Sequence, residues 1–210
     1  SFRPNAFLNL DADGAVTIFV PNTEIGQGTL TALSAIVAEE LDVEWPRVRA
    51  EQAPAHPDYG HPWFRVQMTG ASSGTTSRWD QLRKAGATAR ELLVAAAAGQ
   101  WNVALAACRA EQGLVHGPAG KVLSYGELAA AAGKLAPPEN VRLKERSAYK
   151  LLGRNLHRVD SPDKVTGRAV YGMDVRLPGM LTAVVERPPT ISGKMKSVDP
   201  APALAVPGVK

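Results

Sequence analysis

The sequence predicts an α+β fold, a mixed sheet with packed helices, on three observations. Two alternating apolar runs, residues 6–10 and 16–20, flank the turn cluster Asp11-Ala12-Asp13-Gly14, the signature of an opening hairpin. Leu30, Leu33, Val37 and Leu41 then recur at helical spacing, and Trp79, Leu82, Gly86, Ala89, Leu93, Ala97 and Trp101 mark one face of a longer helix. Beyond about residue 150 the pattern shortens into strand-like runs. A boundary there divides the chain into residues 1–150 and 151–210.

After the hairpin, Val16, Ile18 and Val20 end in the turn Gly26-Gln27-Gly28, which opens directly onto the first helix at about Thr29. Glycine lets backbone N–H groups come close to a ligand, and a helix start offers unpaired donors with a positive dipole end. Gly26, Gln27, Gly28 and Thr29 are therefore candidate anion contacts, beside the plainer reading of a tight connection. A Rossmann dinucleotide fingerprint wants a third glycine where Thr31 stands, so a nicotinamide-binding domain is only an alternative.

Trp45-Pro46 breaks the first helix and residues 48–53 read as a strand. Residues 54–64 gather prolines, histidines and aromatics without period, an irregular loop. His56 and His61 have a spacing that suggests a metal pair, but catalytic zinc wants three ligands on a firm scaffold, and no metal site is assigned. Residues 68–78, MTGASSGTTSR, place hydroxyls and glycines ahead of the long helix, with Ser77 and Asp80 as an S-x-x-D cap. Such hydroxyls and N–H groups wrap phosphate oxygens without formal charge, or merely cap the helix. Residues 113–123 read as a hairpin, and Ser124-Tyr125-Gly126-Glu127 as a capping box for the helix that reaches Ala132. Strands are expected at 170–175 and 181–186.

With 210 residues, 45% of them hydrophobic, the chain has room for one medium domain or two small ones. No run approaches the eighteen or so apolar residues of a membrane span. Cys108 is the only cysteine, which excludes an internal disulfide, a four-thiolate zinc site and an iron–sulfur cluster; a redox relay belongs on another chain. It is expected to be a packed apolar residue in a helical, alanine-rich setting. The basic run Arg142, Lys144, Arg146, Lys150, Arg154, His157 and Arg158 has only Tyr149 for base stacking, so nucleic acid is set aside and the run is read as a solvated linker.

Taken in order, these pieces resemble the molybdenum-binding subunits of the xanthine dehydrogenase and aldehyde oxidase superfamily, in the branch of isoquinoline 1-oxidoreductase beta subunits and membrane-bound aldehyde dehydrogenase large subunits. The resemblance rests on EIGQG at 24–28, VAEELDV at 37–43, QMTGAS at 67–72, WDQLRKAGA at 79–87, YGEL at 125–128, DKVTGR at 163–168 and YGMDV at 171–175. It implies a molybdopterin cytosine dinucleotide with molybdenum. The family's E-x-G-Q-G element falls on Glu24, Gly26, Gln27 and Gly28, and its T-G-G-S loop on Thr69, Gly70, Ala71 and Ser72. Ser73 and Thr75 follow as further cofactor contacts. Ala71 replaces a glycine of that loop, which questions a glycine-only backbone there.

The resemblance also implies hydroxylation of an aldehyde or N-heteroaromatic substrate with oxygen from water, and electrons passed to iron–sulfur clusters on a small subunit, with a cytochrome as a further acceptor. The family's catalytic glutamate lies in a G-x-G-E element that is absent here, so no catalytic residue is assigned. Residues from about Leu156 look like the start of an α/β hammerhead domain. The expectation is a fragment that needs the remaining C-terminal part of the subunit to turn over. Relatives imply a periplasmic location, with a cytoplasmic one as the alternative. A non-catalytic scaffold or assembly module derived from the family is the other functional reading.

Overall fold

Four strands, β1 (Phe2–Asn5), β2 (Leu8–Leu10), β3 (Val16–Val20) and β4 (Val48–Gln52), form the first sheet in the computed structural model, which describes residues 1–210. β1, β2 and β3 are antiparallel neighbours, whereas β4 runs parallel to β3 with Val16 opposite Val48 and Val20 opposite Gln52. A parallel pair needs a crossover, and helix α1 (Thr29–Leu41) supplies it. The sheet is mixed for that reason. Val16, Ile18 and Val20 are buried while Thr17 and Phe19 are only partly covered, the alternation that the sequence shows. β1 goes beyond the sequence reading, since only Phe2 of its residues is buried.

Helix α2 (Trp79–Trp101) packs on α1, with its bounds where the periodicity puts them. Small residues let the two backbones approach. A Cβ built on Gly86 would lie 2.5 Å from the Val37 carbonyl oxygen. α1 stops at Leu41, ahead of the expected Trp45-Pro46 break, because Asp42 turns into the left-handed region with φ +58 and its N–H caps the Ala38 and Glu39 carbonyls. The expected Ser77 cap is also corrected. Ser77 N–H already bonds Ser73 O at 2.9 Å, so Ser77 lies within a turn and not in the extended geometry of a cap; its hydroxyl is buried without a partner. Arg78 takes the N-cap position without a side-chain cap bond.

A second sheet joins β5 (Arg109–Glu111), β6 (Leu114–His116) and β7 (Val122–Ser124) in antiparallel order, and α3 (Tyr125–Ala132) follows. Ser124 and Glu127 form the capping box. The buried Tyr125 hydroxyl donates to Leu41 O at 2.7 Å, tying α3 to the end of α1. Cys108 lies in extended backbone just before β5, not in a helix, and packs against the core.

The basic run is no solvated linker. Glu39 and Glu40 are buried on α1, and an unpaired buried carboxylate is costly. The run, as a strap, supplies the partners of Glu39 and a backbone N–H to Glu40, whose charge is paired by Arg83 and Arg90 of α2. Glu39 accepts Lys144 Nζ at 3.0 Å and the N–H groups of Lys150, Leu151 and Leu152 at 2.9, 2.7 and 3.1 Å. Glu40 accepts Arg83 Nε at 2.8 Å and Lys144 N–H at 3.0 Å. Lys144 and Lys150 also reach Asp42, at 2.7 and 3.1 Å. The first compact unit continues to Ala169 and includes the short α4 (Ser161–Val165); residues 170–210 form a second unit.

That second unit has one 3₁₀ turn, Gly172–Asp174, and the four-residue α5 (Ala201–Leu204). It contains none of the strands expected at 170–175 and 181–186. A strand needs a neighbour for its N–H and C=O groups, and here none pairs with these runs; Val184 stays 92% exposed.

Candidate functional site

In the first loop the chain supplies its own anion. Glu24 Oε1 accepts N–H bonds from Gly26 at 2.8 Å and Gly28 at 2.9 Å, and Oε2 accepts one from Leu30 at 3.0 Å. Burial pushes the Glu24 carboxyl up, but the N–H bonds from Leu30, Gly28 and Gly26, with the nearby Arg158 charge, outweigh it and hold the group below its ordinary value. Gly28 has φ +86 at the N-cap, a left-handed geometry that suits glycine. Three of the N–H donors that a dinucleotide phosphate would use at this turn are thus bound to Glu24, which argues against the nicotinamide reading. Gln27 folds back on its loop, its Oε1 accepting Ile25 N–H at 2.6 Å and its Nε2 donating to Thr23 O at 2.9 Å.

The second loop is held differently. Thr69 Oγ1 donates to Thr23 O at 3.1 Å and Asn22 Nδ2 to Met68 O at 3.1 Å, so the two loops are stitched together. Ala71 and Ser72 have φ of +53 and +50: the alanine does adopt the left-handed backbone. The N–H groups of Ser72, Gly74 and Thr75 have no protein acceptor, unlike those of Ser73, Ser77 and Arg78. His61, fully buried, lies with Nε2 2.8 Å from Ser73 Oγ, which in turn donates to Gly70 O at 2.9 Å. His61 Nδ1 accepts Trp63 N–H at 3.2 Å, which assigns the proton to Nε2 in the neutral ring. Burial and the Arg78 charge push the His61 pKa down.

The two loops share one cavity of about 420 Å³. Gln27 and Thr29 line it from the first, and Thr69, Gly70, Ser72, Ser73 and Thr75 from the second, with Ile25 and Gly74. Gly26 and Gly28 do not line it, and their N–H groups are bonded to Glu24. No lining residue carries a charge, so hydroxyls and backbone N–H groups are what the cavity offers a polar ligand. The sequence pattern does not point to His61 and Asn22 as parts of this site, and it gives Glu24 only as the first residue of the family's E-x-G-Q-G element, not as the anion that the turn binds. For Glu24 a signal existed, a carboxylate two and four residues ahead of the glycines. The His61–Ser73 contact has none.

His56 is exposed beside Asp58 at 3.5 Å, while His61 is buried on Ser73, so the two do not converge. No group of three potential metal ligands occurs in the chain. A further cavity of about 390 Å³ lies beside Glu39 and Asp42, whose carboxylates Lys144 and Lys150 already engage. No helix is long and apolar enough to cross a membrane.

The family model described as "Molybdopterin cofactor-binding domain" matches residues 2–185. The chain is 39% identical over 242 residues to the beta subunit of isoquinoline 1-oxidoreductase from Brevundimonas diminuta, covering 98% of this chain and 31% of that protein. It is 31% identical to the membrane-bound aldehyde dehydrogenase [pyrroloquinoline-quinone] of Gluconacetobacter polyoxogenes, over 99% of this chain and 27% of the relative. One nicotinate dehydrogenase subunit of Pseudomonas putida shares 34% identity, over 97% of this chain and 17% of its own length. The chain thus spans less than a third of the length of each of these relatives.

Proposed function

The chain belongs to the molybdopterin cofactor-binding domain family, in keeping with its resemblance to the molybdenum-binding subunits of the xanthine dehydrogenase and aldehyde oxidase superfamily, and from that premise we propose that it holds part of a molybdopterin cytosine dinucleotide in the cavity between its two loops. The observation that carries the reading is the convergence of Gln27, Thr29, Thr69, Gly70, Ser72, Ser73 and Thr75 on one cavity.

The residues present fit such a group. A pterin presents oxygen and nitrogen acceptors and a pyrophosphate presents oxygens, and this wall offers unpaired N–H groups at Ser72, Gly74 and Thr75 beside the hydroxyls of Ser72 and Thr75. Ser73, fixed by His61, keeps the loop in shape, while Gln27 and Thr29 close the opposite side. Gly26 and Gly28 serve indirectly, by letting the chain wrap Glu24. Molybdenum, when bound with its pterin, supplies two-electron oxidation of the substrate carbon.

In the complete subunit, that chemistry oxidises an aldehyde or N-heteroaromatic compound with water as the oxygen source. Electrons pass to an iron–sulfur small subunit and a cytochrome acceptor at the periplasmic face of the membrane. In that setting residues from Leu156 onward begin a hammerhead-like domain, and catalytic groups come from the rest of the subunit.

The test is to purify the full-length subunit and measure bound metal by elemental analysis and released nucleotide by mass spectrometry. Molybdenum and cytidine nucleotide in equal amounts are expected. An active subunit lacking both ends the proposal, and a bound quinone would instead favour the cofactor in the name of the Gluconacetobacter relative.

A further inference from the structure

Arg78 is wholly buried, and all its partners are neutral. Nη2 donates to Tyr59 O at 2.6 Å, Nη1 to Gly60 O at 2.9 Å and to Gln81 Oε1 at 2.8 Å, and Nε to Asn22 Oδ1 at 3.3 Å. No carboxylate pairs with it. Burial pushes its pKa down to about 10, so it remains a cation at neutral pH. Buried charges are ordinarily paired, and one that satisfies its hydrogen bonds without a counter-charge favours an anion nearby.

The charge lies directly behind the second loop. Asn22, bonded to Arg78, is itself fully buried and reaches Met68 O; its Nδ2 is 3.6 Å from where a Cβ on Gly74 would stand. His61, whose pKa the Arg78 charge helps to lower, holds Ser73 of the same wall. Behind the first loop the charge is a carboxylate, Glu24, already paired with Arg158 at 3.2 Å. Glu24 occupies the N–H groups of Gly26, Gly28 and Leu30, so that of this wall's donors only the N–H groups of Gln27 and Thr29 are without an acceptor.

We propose that Arg78 and Glu24 give the cavity an electrical polarity. The anionic part of the ligand, a phosphate or pyrophosphate group, sits against the Ser72–Thr75 wall, where Arg78 supplies the balancing charge without touching it. The Gln27–Thr29 wall takes a neutral, hydrogen-bonding part. This deepens the reading of the cavity as a nucleotide-tailed cofactor site and rests on it.

The experiment neutralises Arg78 in place. Gln81→Glu sets a carboxylate on Nη1 from helix α2, outside the cavity wall, and Gln81→Met removes the bond without adding charge. The full-length subunit, produced without cofactor, is titrated with inorganic pyrophosphate by calorimetry. Gln81→Glu should weaken binding about tenfold or more, the scale of one unit charge at an effective dielectric near 20, and Gln81→Met should leave it within about twofold. Equal losses in both variants, no loss in Gln81→Glu, or no pyrophosphate binding to the unsubstituted protein overturns the proposal. Should Gln81→Glu fail to fold, Asn22→Asp against Asn22→Ala makes the same comparison. Molybdenum and nucleotide in the cofactor-loaded subunit are scored separately. Their presence alongside a failed Gln81 comparison overturns the role of Arg78 alone.

Discussion

Arg158 Nη2 stands 3.2 Å from Glu24 Oε1, across 134 residues of sequence. The same guanidinium donates to Gly26 O at 2.9 Å and pairs with Asp160 at 2.8 Å. The end of the strap and the first loop are therefore one assembly, and the carboxylate that caps α1 also receives the strap.

Glu24→Ala should destabilise the first unit by about 1–2 kcal/mol, as for loss of a helix cap with several donors left unpaired. Glu24→Gln, which keeps an acceptor, should cost less. Urea unfolding followed by circular dichroism measures both. The folded pKa lies below the ordinary carboxylate value, so this contribution is present above that value, near 4.5, and is lost as pH falls through the folded pKa. In Glu24→Gln that acid-range slope should shrink.

Lys144→Met removes the cation nearest two buried carboxylates and should cost about 3 kcal/mol, because it strips an ion partner from groups that stay buried. Limited proteolysis should then cut within residues 140–152 faster than in the unsubstituted chain. Burial pushes Glu39 and Asp42 up, but hydrogen bonds from Leu151, Leu152 and Lys144 to Glu39, and from Gln112, Lys144 and Lys150 to Asp42, outweigh it. The strap's hold is accordingly present at neutral pH and lost as pH falls below about 4. Protection of the same peptide bonds across a pH series tests it.

His61 gives a slope in a different window. Its folded pKa is below the ordinary 6.5, so the unfolded chain binds the extra proton first and stability declines as pH drops from about 6.5 toward the folded value. His61→Gln should flatten the dependence of the melting temperature on pH between about 5 and 7. An unchanged slope would show that His61 does not carry it.

Gly86→Ala forces a methyl group against the Val37 carbonyl, 2.5 Å from the position the Cβ would take. The helices must separate, at a cost of about 1–3 kcal/mol despite the gain in helix propensity. Thermal unfolding reads it directly.

What the sequence made legible is local. The start of α1 at Thr29, both ends of α2, the capping box at Ser124 and the alternation of β3 follow from spacing within a few residues. So does the hydroxyl-rich loop at 69–75. What stayed hidden depends on distant partners. Lys144 and Lys150 read as solvent-facing because Glu39 and Asp42, which hold them, lie over a hundred positions earlier. The donors at Gly26 and Gly28 looked free because an isolated motif does not say which anion fills it, and Glu24 does. Residues 181–186 carry a strand's composition, yet composition supplies no neighbour.

The strap also sets a schedule. Glu39 waits for Leu151 and Leu152 across 112 and 113 residues, so during synthesis the two helices are made long before the groups that quiet their buried acids. A ribosome paused ahead of Lys144 holds a nascent chain in which Glu40 can meet Arg83 and Arg90 of α2 while Glu39 has none of its partners. The pairing of Glu39 is therefore open only once the backbone and basic residues of 144–152 have been made.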